Sequence, residues 1–293
     1  MSDTSAPIVH ANFLEDLRQH YVAALQAIVP TAAAHDKAHD ACIAYFNVMH
    51  RLIPTKPRRV LRSSALRSRQ LSPEHRQAVD TIAEEAERGD DLRPRLSRSV
   101  TDPSFNDRLM NDWRIHHLHL GSKLEADGFV QRTGPLLYVM VRDDVIYFID
   151  LLAHGTKSFA NQDLVDILDA EWPEAIADGK LGAIPGSLQP ASLAPKERHR
   201  FREKLNFATQ AASGNIYKMD MVTLSGLSFT VVDQANRQCN GARQTEDNVR
   251  QKAQRIRDMI AGQTSVELTE LRLRYVVGPP AAVVEEQTGY RFT

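Results

Sequence analysis

Two apolar runs in the middle of the chain constrain its fold more than any other feature. Residues 136–141 and 145–152 are rich in β-branched, aromatic and aliphatic side chains, and the polar tripeptide Arg142-Asp143-Asp144 separates them. Two β-rich runs around a short polar turn predict a β-hairpin. Because both runs are almost continuously apolar, we expect strands that are covered on both faces.

A histidine-rich segment precedes this hairpin. Residues 112–121 read Asp-Trp-Arg-Ile-His-His-Leu-His-Leu-Gly, a pattern that predicts another strand of the same sheet. Successive side chains of a strand point to opposite faces, so Ile115, His117 and His119 share one face. His116 shares the other face with the leucines, and it is therefore the natural control for any role given to the other two histidines.

Asp150 interrupts the second apolar run, and His154 follows it by four residues. A carboxylate in a buried strand is unfavourable unless it is paired or hydrogen-bonded. We therefore expect Asp150 to have a partner, and a histidine is the nearest candidate. The predicted catalytic residues are His117, His119, His154 and Asp150.

A cation-rich segment lies upstream of the histidine strand. Residues 56–69 carry six Lys and Arg side chains and no carboxylate. Such a run can neutralise phosphates and position a nucleic acid without reading its sequence, and a solvated or locally paired loop is an equal alternative. The predicted nucleic-acid contacts are Arg58, Arg59, Arg62, Arg67, Arg69, Arg114, Arg132 and Lys157.

Helical periodicity dominates the region before the sheet. Apolar positions at steps of three and four residues predict helices over 11–29 and 32–53. A third helix is predicted between Ser72-Pro73, typical of a helix start, and Gly89, typical of a helix end.

The expected fold class is α+β, with N-terminal helices, a central twisted antiparallel sheet and a C-terminal α+β region. Residues 179–197 are rich in Gly and Pro, as is typical of a linker. Beyond it, 216–221 and 227–232 predict a second β-hairpin. The predicted domains are a mainly helical region with the basic segment over 1–111, a candidate catalytic core over 112–178, the linker, and an α+β region over 198–293.

Composition narrows the classes of partner. Thirty-six Lys and Arg oppose 37 Asp and Glu, so a nucleic acid would have to meet a local basic patch. No window approaches the roughly 18 apolar residues of a membrane helix, and the two cysteines form neither a redox nor a zinc motif. The sequence has no phosphate loop, dinucleotide fingerprint or nucleophile elbow. We therefore expect a cytoplasmic protein with no cofactor and no membrane partner.

Residues 112–160 resemble the core of the RelE and HigB type ribonuclease toxins. The histidine strand, the hairpin and the polar residues 153–159 follow one another in the order found in that family. Pro135 stands where those toxins commonly carry an arginine, and Arg132 is the nearest cation. The resemblance implies a twisted antiparallel sheet, metal-independent cleavage of RNA and an antitoxin or other protein partner.

RNA cleavage of that kind needs a base for the 2′-hydroxyl, an acid for the leaving oxygen and a cation near the charged phosphorane. His117 and His119 are the candidate base and acid, and His154 is a further proton-transfer group. The candidate phosphate clamp is Arg114, Arg132 or Lys157. The leading hypothesis is a toxin-like or defence-like endoribonuclease.

Three other functions fit the same residues. The His-x-His strand with Asp150 and His154 provides a ligand set for a metal-dependent nuclease or phosphoesterase. A regulatory protein that binds RNA or DNA without cleaving it is a second alternative, because histidines also occur in purely structural networks. A partner-binding scaffold without nucleic-acid affinity is the third.

Overall fold

The computed structural model describes residues 7–153, 155, 162–181, 208–218 and 220–293. The chain has the expected α+β fold. It forms two compact units, one of residues 1–49 with 230–293 and one of residues 50–229. None of the helices in the described part is both long and apolar enough to cross a membrane.

The elements follow one another along the chain in a mixed order. Up to residue 153 they are β1 (Ile8–Ala11), α1 (Phe13–Ile28), α2 (Ala38–Arg51), β2 (Arg59–Arg62), α3 (Ser64–Ser68), α4 (Pro73–Arg88), α5 (Arg108–Trp113), β3 (Ile115–His119), β4 (Pro135–Val141) and β5 (Val145–Ala153). The later described elements are α6 (Asp163–Glu171), β6 (Lys180–Leu181), β7 (Ala208–Gln210), β8 (Ile216–Lys218), α7 (Phe229–Gln251), α8 (Ala253–Thr264), β9 (Glu270–Val276), β10 (Ala282–Glu285) and β11 (Arg291–Phe292). Short 3-10 helices cover Arg93–Arg95, Arg98–Thr101 and Pro173–Gly179.

The first unit is built on a sheet of order β1-β9-β10-β11. Helix α1 begins after Asn12, whose side chain accepts a hydrogen bond from the Glu15 N–H and so caps the helix. Its buried face includes Phe13 and Leu17, which share an apolar cluster with Leu271 of β9. The predicted helix over 11–29 is confirmed, whereas α2 begins at residue 38 and not at 32.

The second unit contains the central sheet, in the order β2-β5-β4-β3. The predicted hairpin is confirmed as β4 and β5, with an irregularity in the register between Tyr138 and Val139. Strand β3 pairs antiparallel with β4, but β2 pairs parallel with β5, so the sheet is mixed and not purely antiparallel. Because β2 shares a sheet with the hairpin, the predicted boundary at 111/112 would cut through one packed unit, and the observed units divide the chain elsewhere.

Helices cover both faces of the central sheet, as its apolar strands predicted. On one face, Leu118 of β3 belongs to the same buried cluster as Ile82 of α4. On the other face, Ile115 of β3 belongs to the same cluster as Leu168 of α6. The histidine strand therefore lies between two apolar layers and not between one core and solvent.

The start of the histidine strand differs from its prediction. Residues 108–113 form α5, which Asp107 caps by accepting the Met110 N–H at 3.1 Å. The helix ends at Arg114, whose φ of 55° lies in the left-handed region and turns the chain into β3. Trp113 is consequently helical and not the first residue of the strand.

The predicted second hairpin is wrong in its later half. Residues from Phe229 onward belong to α7, and Val222 and Ser228 form a single isolated bridge. The turn between them contains Gly226, which has a φ of 82°. In the predicted linker, Lys180 and Leu181 form β6, and residues 182–197 lie outside the described part of the chain.

Candidate functional site

The histidines of β3 follow the predicted alternation. His117 is opposite Tyr138 in the register, and His116 is opposite Val139. Tyr138 and Val139 belong to the buried clusters of opposite sheet faces, so His117 and His116 point to opposite faces as well. His119 shares the face of His117, and its exposed fraction is 4%.

His117 and His119 lie close together on that face. Their ring centroids are 6.4 Å apart, and the Tyr138 ring is also 6.4 Å from His117. Asp107 approaches from outside the sheet, with Oδ2 at 3.8 Å from His117 Nδ1. The other oxygen of Asp107 is the cap acceptor of α5, so the helix start fixes this carboxylate beside the imidazole.

A narrow cleft opens at this edge of the sheet, with an accessible volume of about 20 Å³, room for one water molecule. Its lining combines apolar side chains with ionisable ones, namely Arg51, Leu96, Ser97, Val100, Phe105, Asp107, Met110, His116 and His117. Because β3 is the edge strand, the cleft reaches both His116 and His117 although their side chains point to opposite faces. The side chain of His117 is 11% exposed, enough to meet a ligand in the cleft without facing bulk water.

Arg51 provides the positive charge of the cleft. Its guanidinium donates to the carbonyl oxygens of Ser99 and Asp102, both at 2.7 Å, and lies 5.7 Å from the Phe105 ring centroid. Burial lowers the pKa of Arg51 to about 10, so the group remains cationic at neutral pH. These bonds hold a fixed charge in the wall of the cleft.

His116 is buried and points to the opposite face of the sheet from His117 and His119, and His50 is half-buried. Burial lowers the pKa of His116 to about 3, with smaller effects from His117, His50 and Arg58, so His116 is neutral at pH 7. Burial, then Arg114, also lowers the pKa of His50, and its Nε2 has no hydrogen-bond partner among the described residues. Because His116 is buried and neutral, it is the structural control for the roles given to His117 and His119.

Asp150 occupies the same row of the sheet as His117. The register places His117 opposite Tyr138 and Tyr138 opposite Asp150. As expected, Asp150 is paired, but the partner in the described structure is Arg69 and not a histidine. Arg69 donates from Nε at 2.7 Å and from Nη2 at 2.5 Å to the two carboxylate oxygens. His154 and Lys157 lie outside the described residues.

Most of the predicted nucleic-acid contacts have protein partners. Arg58 is buried and donates to the carbonyls of Pro54, Lys56 and Arg142. The others with partners are Arg62 with Asp80, Arg69 with Asp150, Arg114 with Asp220, and Arg67 with the carbonyl of Arg62. Arg59 and Arg132 are exposed, and neither has an ion pair within the described ranges. The basic segment is thus a strand and a short helix whose cations mostly bond to other groups of the protein, several of them distant in sequence.

The sequence reasoning missed Asp107, Arg51 and His50. Asp107 had a local signal, since Asp is a favoured N-cap residue and the apolar residues Leu109, Met110 and Trp113 follow it at helical spacing. Arg51 and His50 had none, because their positions beside β3 depend on contacts between residues more than 45 apart in sequence, such as Arg51 with Ser99.

The described residues contain no group of three or more His, Cys, Asp or Glu side chains arranged to hold a metal ion. Comparison of the chain with family models, curated proteins and solved structures finds no match. The geometry of the site is therefore the basis for its functional interpretation.

Proposed function

We propose that this protein cleaves RNA without a metal ion, by acid-base chemistry at His117 and His119. The observation that supports this function is the pair of imidazoles on one face of β3, 6.4 Å apart between centroids, with the Asp107 carboxylate 3.8 Å from His117 Nδ1. A base, an acid and a cation are what attack by a 2′-hydroxyl on the adjacent phosphate requires.

His117 is the proposed base. With its proton on Nδ1, towards the Asp107 carboxylate 3.8 Å away, His117 would accept the proton of the 2′-hydroxyl at Nε2. His119 donates a proton to the 5′-oxygen as its bond to phosphorus breaks. The products are a 2′,3′-cyclic phosphate and a 5′-hydroxyl, and Arg51 adds positive potential near the phosphorane.

An RNA chain would meet this site at its rim. The cleft has an accessible volume of about 20 Å³, room for one water molecule, so a base would stack on the Phe105 ring outside it. Among the predicted contacts in the described part of the chain, the exposed Arg59 and Arg132 are the candidates for flanking phosphates. With so few phosphate contacts, we expect a shallow salt dependence of binding.

A toxin-like or defence-like role in the cytoplasm, with an antitoxin or other protein partner, belongs to the same proposal. Its support is the order of strand, hairpin and polar segment over 112–160, which resembles the RelE and HigB type toxins. In this chain Asp150 is held by Arg69, so its part in the proposal is to fix β5, which β4 separates from the histidine strand.

The test is an assay with a labelled single-stranded RNA in the presence of EDTA. We expect cleavage with a 2′,3′-cyclic phosphate end, and no cleavage of the same RNA with 2′-O-methyl groups. The variants His117→Ala and His119→Ala should each lose about 10²- to 10⁴-fold in rate. His75→Ala, on α4, is the matched control and should keep the wild-type rate. Folded His117→Ala and His119→Ala proteins that cut at the wild-type rate would contradict the proposal.

The deep burial of His119 favours a second candidate, a non-catalytic protein that binds RNA or DNA. In that case the histidines only stabilise the sheet, and the same assay finds binding without cleavage. Cleavage that requires an added divalent cation would instead select the metal-dependent nuclease or phosphoesterase.

A further inference from the structure

A larger, open cleft with an accessible volume of about 680 Å³ lies at the opposite edge of the central sheet. Three consecutive residues of β2, Val60, Leu61 and Arg62, line it. Consecutive side chains of a strand point to opposite faces, so a cleft that meets all three runs along the edge of the strand. The edge of β2 is therefore accessible from this cleft.

The hydrogen bonds of β2 show which backbone groups face the cleft. Arg59 N–H donates to the Asp144 carbonyl and Ser63 N–H to the Phe148 carbonyl, both at the β5 side. Backbone groups alternate sides along a strand, so those of Val60 and Arg62 point away from β5. The Arg67 side chain donates a hydrogen bond to the Arg62 carbonyl. Within the described residues, neither the N–H nor the carbonyl of Val60 has a backbone partner outside the strand ladder.

The walls of the cleft are acidic. Helix α4 contributes Asp80, Glu84 and Glu87, whose spacing of four and three places them on one helix face. Glu171 and the largely buried Trp172 line the other wall, at the end of α6. The lining thus has four carboxylates against the two guanidiniums of Arg62 and Arg67, and Glu87 has no ion pair among the described residues.

We infer that this edge binds an extended, basic peptide segment of a partner protein, which adds a strand beside β2. Main-chain bonds to Val60 and Arg62 would hold the peptide, as in other cases of strand addition. Alternate Lys or Arg side chains would face the carboxylates of α4, and the side chains between them would lie against Trp172. This site is at the other edge of the sheet from His117 and does not depend on the proposed ribonuclease activity.

A second copy of this chain suits the edge poorly. Pairing of β2 with β2 about a twofold axis would bring the α4 helices of the two copies to the same face of the joined sheet. The carboxylates of Asp80, Glu84 and Glu87 would then face those of the other copy, and such like charges repel. A foreign basic strand removes this conflict.

The test is binding of a labelled peptide of alternating Lys and Val to the full chain, measured by fluorescence anisotropy. Two further peptides carry N-methyl groups on the Lys amides or on the Val amides. Because a strand bonds its neighbour through alternate residues, one of these two should bind about tenfold more weakly and the other like the parent. A Glu-Val peptide should not bind.

Two variants of the protein complete the test. Glu87→Lys should weaken binding of the Lys-Val peptide by about three- to tenfold, and Asp143→Lys, an equal charge change in the exposed β4–β5 turn, should not. Arg67→Ala should strengthen binding, because it frees the Arg62 carbonyl. Equal binding of both N-methylated peptides, equal effects of Glu87→Lys and Asp143→Lys, or self-association of the chain through this edge would each overturn the inference.

Discussion

The two edge strands of the central sheet, β3 and β2, differ in the surroundings of their ionisable side chains. Strand β3 carries three histidines between two apolar layers, with Asp107 and Arg51 fixed beside them by backbone hydrogen bonds. At the other edge, residues 56–69, which include β2, carry six cations, and most of these form ion pairs or donate to backbone carbonyls. The cation-rich segment 56–69 therefore did not indicate where buried ionisable groups are held in fixed positions. The histidines within the apolar strand β3 did indicate that place.

Because β3 holds a buried, neutral histidine, we expect the largest effect of acid on stability to come from this edge of the sheet. His116 has a folded pKa of about 3, below the unfolded value near 6.5, so the unfolded state alone takes up this proton as pH falls between these values. Protonation of His116 in the unfolded state alone lowers the free energy of unfolding by roughly 4 kcal/mol between pH 7 and pH 3. Urea denaturation at a series of pH values should show a shallower pH dependence for His116→Gln than for the wild type.

Leu118→Ala is the control for that series, since it removes a fully buried side chain of β3 and no titrating group. It should lower the free energy of unfolding by about 2–5 kcal/mol with the wild-type pH dependence. If His116→Gln also kept the wild-type dependence, His116 would not be the group that titrates.

The next effect concerns the ion pair between Arg69, which follows α3, and Asp150 of β5. The side chain of Asp150 is 5% exposed and that of Arg69 is 40% exposed. Arg69→Met leaves a buried carboxylate without its partner, and we expect a loss of about 2 kcal/mol, less than for a fully buried pair. A double-mutant cycle with Asp150→Asn in urea should yield a coupling energy above about 1 kcal/mol, and additive losses would contradict this pairing.

The smallest effect is expected at the surface of β2. Arg62 and Asp80 are 2.6 Å apart, but their side chains are 35% and 41% exposed. Arg62→Ala should therefore change the free energy of unfolding by less than about 1 kcal/mol, and less still at high salt. A loss as large as that of Arg69→Met would mean that the two edges do not differ as described.

Local patterns predicted the parts of the fold that depend on neighbouring residues. The hairpin, the alternation of His116 and His117, and the end of α4 at Gly89 follow from strand period and helix capping. The partners of the ionisable groups did not, because Arg69 and Asp150 are 81 residues apart. The parallel addition of β2 to β5 was missed for the same reason, as a four-residue strand of Arg, Val, Leu and Arg has no period of its own.

The most direct test of the proposed site compares the two edges in one RNA-cleavage assay with EDTA. His117→Ala removes the imidazole beside Asp107, and Arg59→Ala removes an exposed cation of β2. We predict a rate lower by at least about 100-fold for His117→Ala and by less than about tenfold for Arg59→Ala. Equal rates for folded His117→Ala and wild-type protein, or a greater loss in Arg59→Ala, would contradict the assignment of chemistry to the histidine strand.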